Sequence, residues 1–479
     1  MRSPFFAAFL GVLLILPLGP LRFAAAEDEP GVAATNESAG AKTGTQSLDW
    51  PQFRGPEARG WVEGSSVPAT WDIESGENVR WRAPIDGLGL SSPVSAAGRV
   101  FVTTAVGENE PDFKIGLYGD VRPADDDSKH RFELWCIDLA SGERRWKVVA
   151  HEGVPKVSRH TKSSHANSTP ATDGKRVIAF FGSEGIYCYD VDGKPLWKRD
   201  LGLLDAGFFH DRGMQWGFGS SPVIFRDRVL VQCDVQDESF IAALDLESGD
   251  VVWRTKRDEV PTWSTPTVAV HDGVPYIIAN GFQHIGAYRL DDGKELWRLG
   301  ARGGDIPVPT PIVDSGLIYI TNAHGRLSPI YAIRPGLEGE LEPPGDDGKS
   351  SAIAWSIPRG GNYMQTPLAY QGLLFACRDN GVLTCFDAKT GEQHWQLRLG
   401  GGRDGFTASP IASDGRIYVT GESGEVHVIA AEKEQRELAK QSLGEISMAT
   451  PAIANGDTLL FRGRRHLIAI RAAKKESAK

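Results

Sequence analysis

Ala243-Leu-Asp-Leu-Glu-Ser-Gly-Asp-Val-Val-Trp253 decides how this chain folds, because variants of it return across almost the whole sequence. Ala243 to Asp245 ends one apolar run, Ser248-Gly249 turns the chain, and Val251 to Arg254 opens a second run around a large aromatic. Short apolar or β-branched runs broken by Asp, Ser and Gly read as a β-hairpin. Gly249 stands four residues before Trp253, and the same offset separates Gly142 from Trp146, Gly193 from Trp197, Gly293 from Trp297 and Gly391 from Trp395. A turn glycine supplies positive φ, so the fixed spacing sets every indole at one depth. These indoles read as packing elements. A buried Trp removes ~150–250 Å² from water, about 4–6 kcal/mol before entropy is subtracted.

A second marker precedes each hairpin: Ser92-Pro93, Thr169-Pro170, Ser221-Pro222, Thr265-Pro266, Thr310-Pro311, Thr366-Pro367, Ser409-Pro410 and Thr450-Pro451. After a first gap of 77 residues the pairs recur every 41 to 56. That period, built from short strands, points to propeller blades of four strands each. For one blade the strands read as 222–225, 229–233, 240–245 and 251–255. The eighth pair is followed by Thr458-Leu-Leu-Phe461 and Leu467-Ile-Ala-Ile-Arg471 but by no Trp strand, whereas Asn78-Val-Arg-Trp81 precedes the first pair. Joining the two ends completes an eighth blade and removes an open edge. The expected fold is all-β: an eight-bladed propeller of four-stranded antiparallel blades, closed by an N-terminal strand. Blade seven carries Leu438 near its Trp position and reads as the weakest.

The termini read differently. Arg2, the apolar run Phe5 to Leu18 and Ala24-Ala25-Ala26 fit a cleavable secretory signal peptide over 1–26. Residues 27–48 are too polar to order themselves and read as a linker. A single propeller domain spans 49–471, and a charged tail covers 472–479. The expected location is periplasmic or secreted, with no membrane insertion after signal cleavage, and the protein is expected to be a monomer. A net charge of −10 opposes nucleic acid. Of the five cysteines, Cys136, Cys188 and Cys385 occupy the place of Ala243, which makes them buried strand residues. With Asn380-Gly381 as a two-residue loop, Cys377 pairs with Thr384, and Cys377 and Cys385 fall on opposite faces. No disulfide framework is expected.

The Ser/Thr-Pro-x-Val opening, with Ala-Leu-Asp-x-x-Ser/Thr-Gly-x-x-x-Trp, resembles the pyrroloquinoline-quinone (PQQ) repeat family over roughly residues 78–471. Trp50-Pro-Gln-Phe-Arg-Gly55 resembles the opening of exported bacterial members. The resemblance implies eight blades and one of several functions. Quinoprotein dehydrogenases of alcohols and sugars hold PQQ and Ca²⁺ at the propeller mouth beside a vicinal Cys-Cys pair. The propeller lipoprotein of the outer-membrane barrel-assembly machinery binds no cofactor and is an interaction platform, and related propellers are sensor domains of bacterial kinases. This sequence has neither a Cys-Cys pair nor a Cys near residue 26. The expected function is a non-catalytic binding or assembly platform without cofactor, whose partner is an envelope protein or a small ligand. The alternative is a PQQ- and calcium-dependent dehydrogenase.

Residues just ahead of each Ser/Thr-Pro pair should converge at one mouth of the channel. They include His165, Asn167, Gln215, Trp216, Phe218, Thr262, Trp263, Asn362, Tyr363, Gln365, Arg403, Asp404 and Phe406. Flat apolar faces with a few amides are what a small-molecule site needs, and a polar ring that only solvates the mouth is the plainer reading. Under the dehydrogenase alternative Asp404 is the candidate base and Asn362 the candidate calcium amide. His160 and His165 are close in sequence, but no Cys or carboxylate follows nearby, so no metal is expected. The acidic insertion 107–129 and a second one, 336–351, read as solvated or functional loops.

Overall fold

In the hairpin quoted above, Ala243 stands opposite Trp253, and the register then slips by one residue so that Leu244 faces Val251. The same slip recurs at the corresponding point of the outer hairpin in all eight blades. A bulge there adds twist and turns the aromatic toward the neighbouring blade. The structure, a computed structural model, describes residues 48–109, 111–116, 121–300, 304–324, 327–402 and 404–473. The signal segment, the linker as far as residue 47, Arg403 and the tail from residue 474 lie outside the described residues.

Eight four-stranded antiparallel blades follow one another, seven of them in sequence order from the innermost strand outward and the eighth with its outermost strand taken from the start of the ring. The innermost strands are Val94–Ala96, Ala171–Thr172, Val223–Phe225, Thr267–His271, Ile312–Asp314, Leu368–Tyr370, Ile411–Ser413 and Ala452–Ala454. Blade eight is completed by Val79–Pro84, which pairs with His466–Arg471 and sets Trp81 opposite Ala469. No helix among the described residues is long and apolar enough to cross a membrane. Blade four gains a fifth strand, because Gly339–Glu340 of the second insertion runs parallel to Glu295–Gly300 beside Trp297.

Glycine and tryptophan of one hairpin do not serve each other. Each glycine seats the indole of the blade before it. A Cβ on Gly142 would collide with Trp81, on Gly193 with Trp146, on Gly249 with Trp197, on Gly293 with Trp253 and on Gly391 with Trp355. The indole N–H then donates to a carbonyl of that same turn: Trp81 to Leu139, Trp146 to Val191, Trp197 to Leu246, Trp253 to Leu290 and Trp355 to Ala388, all at 2.8–3.0 Å. Nearer the channel, the hydroxyl of one Ser/Thr-Pro pair accepts the backbone N–H of the preceding pair. This joins Ser92 to Thr169, Thr169 to Ser221, Ser221 to Thr265, Thr310 to Thr366, Thr366 to Ser409 and Ser409 to Thr450 at 2.9–3.0 Å.

Two expectations need correction. In blade seven the residue in the Trp position, opposite Val428, is Ala439, and Leu438 is the exposed residue at the bulge. Trp71, from the segment ahead of the first blade strand, fills the gap. Its N–H donates to the Ser442 carbonyl and its ring packs on Phe461 of blade eight. Cys377 pairs with Leu383, not Thr384, because the loop is Asp379-Asn380-Gly381 with Gly381 at φ 77°. A three-residue loop shifts the register by one. Cys377 and Cys385 therefore share a face; all five cysteines are free and buried.

Substituting Gly249 by Ala combines a strained φ of 73° with a Cβ 2.5 Å from the Trp197 ring. The expected loss is about 2–5 kcal/mol in urea unfolding, the sum of left-handed strain and overpacking. Gly273 has a similar φ of 77° and nothing near its Cβ, so Gly273→Ala is expected to lose only about 1–2 kcal/mol. Equal losses would show that the indole contributes nothing.

Candidate functional site

Antiparallel strands return to the same end on every second connection. The loops entering the innermost strands and the loops joining second to third strands therefore share one mouth. The first insertion is such a second-to-third loop, in blade one. It is laid along the loop entering blade two through Lys114 N–H to Thr161 and Ala124 N–H to Arg159.

The channel is closed below this mouth. Trp50 pairs with Ser95 of blade one, Pro51 accepts the Thr172 N–H of blade two, and Gly60 accepts the Ala412 N–H of blade seven. Between these anchors Arg54 is fully buried, and its guanidinium donates to the carbonyls of Ala58, Pro367 and Pro410 at 2.9–3.2 Å. Burial lowers this Arg to about 9, which still leaves it charged at neutral pH. Phe53, next to it, faces the cavity above.

That cavity has a volume of about 320 Å³ and is lined by all eight Ser/Thr residues of the Ser/Thr-Pro pairs. Its walls carry Trp216, Trp263, Tyr363, Met364, Phe406 and Met448. Trp216 stacks on Phe208, meets His160 edge-on and lies 5.8 Å from Trp263, centroid to centroid. The Trp216 N–H donates to Val121 of the insertion, and the Trp263 N–H to Gly217. Across the mouth, Tyr363 stacks on His324.

Of the residues singled out in the sequence, His160, Asn167, Trp216, Trp263, Tyr363 and Phe406 line this cavity. Asn167 spends its amide on Ser163, Ser164 and the Phe218 carbonyl. Gln215 is turned away between Ser158 and Asp205. Asn362 and Gln365 are fully buried outside the cavity; Gln365 donates to the Phe406 carbonyl, and both amide atoms of Asn362 lack partners. Asp404 accepts from Ser423 in a neighbouring turn. His165 is buried against Asp126, and Arg403 lies outside the described residues.

Sequence reasoning passed over Lys162 and Glu422. Lys162 reaches from the loop entering blade two to Glu422 of blade seven at 2.7 Å, and Glu422 also accepts from Gly116 N–H and Thr407 hydroxyl. Glu422 lies in a second-to-third loop, so the alternation of strand direction was the signal that could have found it. Asp379, also in the wall, is raised by burial.

Thr262, the residue before Trp263, belongs to a buried polar network. Arg257 donates to Asp234 at 2.7 Å and to the Tyr288 hydroxyl at 2.7 Å, while Thr262 and Gln232 donate to the other Asp234 oxygen. Glu259 accepts backbone N–H groups of Val260, Gln283 and His284. Burial, with the Asp234 charge beside it, raises Glu259 to about 7.

Residues 130–338 and 350–475 match the family described as "Outer membrane protein assembly factor BamB". The chain is similar to the Yersinia pestis protein of that name, 23% identical over 335 residues, covering 65% of this chain and 74% of that one. Among solved structures it is similar to the quinohemoprotein alcohol dehydrogenase from Comamonas testosteroni (TM-score 0.58, 11% identity, 90% and 82% of the two chains). A europium-containing methanol dehydrogenase is also similar (TM-score 0.56, 13% identity, 89% and 90%). At such identities these two likenesses show the fold alone.

Glu259 gives the network a pH signature. Its folded value lies above an unfolded value of about 4.3, so between those values the folded state holds more protons. Stability is expected to fall as pH rises from about 4.5 to 7, by at most ~1.4 kcal/mol per unit from this group. Glu259→Gln keeps the acceptor for the backbone N–H groups and is expected to flatten that slope in urea titrations at stepped pH.

Proposed function

Because the chain belongs to the propeller family described as outer membrane protein assembly factor BamB, we propose that it is a binding or assembly platform of the cell envelope. Its working surface is the open mouth, and the observation that carries the reading is the cavity closed below by Phe53 and Arg54. Flat indole and phenol faces, two thioethers and a hydroxyl floor suit an apolar or aromatic side chain presented by a protein segment. A half-buried Trp pair at the centre of a concave face is the usual make-up of a binding hot spot.

The donor set fits PQQ with calcium poorly. PQQ carries three carboxylates and calls for cations. Among the described residues lining the cavity Lys162 is the one Lys or Arg, and its ammonium is already committed to Glu422. Glu422 and Asp379 would set carboxylates against those of the quinone. Asn362 and Asp404, the candidate calcium amide and base, lie outside the cavity. The platform reading therefore has the better support.

Replacing Trp216 and Trp263 together by Ala tests it. An unfolded outer-membrane β-barrel protein, diluted from urea, is expected to quench the intrinsic fluorescence of the full chain saturably. The double variant is expected to lose about thirtyfold in affinity, the ~2 kcal/mol of a hot spot. Titration with PQQ and Ca²⁺ in parallel is expected to give no saturable binding. Dye-linked turnover of an alcohol or sugar in that arm would overturn the platform reading.

A further inference from the structure

Three groups bearing lone pairs meet beside the mouth, outside the cavity. Asp126 comes from the blade-one insertion, His130 opens the third strand of blade one, and His165 precedes blade two. Their ligating atoms all lie within 4.8 Å of one another, and the side chains are only 1%, 1% and 6% exposed. His130 Nε2 is 3.2 Å from Asp126 Oδ1, and His165 Nε2 is 3.7 Å from Asp126 Oδ2. His160, the histidine close to His165 in sequence, takes no part and stands against Trp216.

His130 Nδ1 is 2.7 Å from the Ser128 carbonyl. A carbonyl only accepts, so this nitrogen carries the proton, and Nε2 is the ring atom left to face the carboxylate. His165 Nε2 is buried without a hydrogen-bond partner. A buried nitrogen in that state is unfavourable, because it has lost its water and gained nothing in return. A cation between the three groups gives the buried His165 nitrogen a partner.

We propose that Asp126, His130 and His165 form a binding site for one first-row transition-metal ion of the zinc class, which ties the blade-one insertion to the loop entering blade two. Two imidazoles and one carboxylate suit zinc, cobalt, nickel or copper, and are a poor set for calcium or magnesium. Metal–ligand bonds of about 2.0–2.1 Å in a tetrahedron put ligand atoms ~3.4 Å apart, close to the 3.2 Å between His130 Nε2 and Asp126 Oδ1, and the 4.8 Å spread of the three groups leaves only a small closure to the same geometry. A water completes the set. The Arg159 guanidinium, 2.5 Å from Asp126 Oδ2, fixes the carboxylate by its other oxygen, as an outer-shell partner does. Its charge also opposes the metal, so binding is weaker than at a structural zinc finger.

The two segments joined by the metal also carry Val121 and Lys162 into the cavity wall, so its binding would stiffen that wall.

The test uses the untagged full chain, stripped with chelator and titrated with Co²⁺. One equivalent is expected to bind with the intense visible absorption of a tetrahedral site, to be displaced by one equivalent of Zn²⁺, and to raise the thermal midpoint. Ca²⁺ is expected to do neither. His165→Ala and Asp126→Asn are expected to weaken Co²⁺ binding at least tenfold, whereas His160→Ala leaves it unchanged; circular dichroism reports whether each variant is folded. The proposal fails if the folded parent chain binds no stoichiometric Co²⁺, or if folded His165→Ala binds it as tightly as the parent.

Discussion

An indole lying on the bare backbone of a glycine is the contact on which this ring depends. A blade exposes two faces and cannot bury either alone, so its stability comes from its neighbours. The Trp of one blade needs a flat, side-chain-free seat in the next, and the turn glycine supplies it while its positive φ closes the hairpin. One residue thus answers two demands. The bond from the indole N–H to a carbonyl of the same turn fixes the angle as well as the distance, which a purely apolar contact would leave loose. Where the pattern lapses, another element covers the junction: Gly339–Glu340 beside Trp297, and Trp71 between blades seven and eight.

Nearer the axis the constraint becomes polar. Converging innermost strands bring backbone N–H groups to the channel with no neighbouring strand to accept them, and the hydroxyls ahead of the prolines take them up. The same hydroxyls form the cavity floor, so the site is built from the groups that hold the ring together. Chemical individuality begins above that floor, in loops that differ from blade to blade. There the aromatic wall, the Lys162–Glu422 bridge and the buried networks around Arg257 and Asp126 are each fixed by residues from two or more loops.

That division explains which site residues could be read in advance. Asn167, Trp216 and Trp263 precede Ser/Thr-Pro pairs and line the cavity. Gln215 and Asn362 also precede such pairs, yet they are turned into the loop and into the space between blades. Position along the chain specifies depth in the ring, while the direction of a side chain depends on the conformation of an irregular loop. The pairing of Lys162 with Glu422, and that of Asp126 with His130 and His165, were out of reach for a stronger reason. Their partners lie in different loops and become neighbours only once the ring has closed.

By itself the sequence determined the number of blades, their strands, the bulk of the core and the strand that closes the ring, because each follows from a pattern repeated within about fifty residues. It also located the mouth. The tertiary structure decided which glycine serves which tryptophan, the same-face placement of Cys377 and Cys385, the stopper formed by Phe53 and Arg54, and the buried Asp126, His130 and His165. The first is packing between neighbouring blades and the second follows from a three-residue loop, while the last two are contacts between segments that repeat nothing of one another. A periodic pattern carries local hydrogen bonding and burial, whereas a contact across the ring is fixed only when every blade has taken its place.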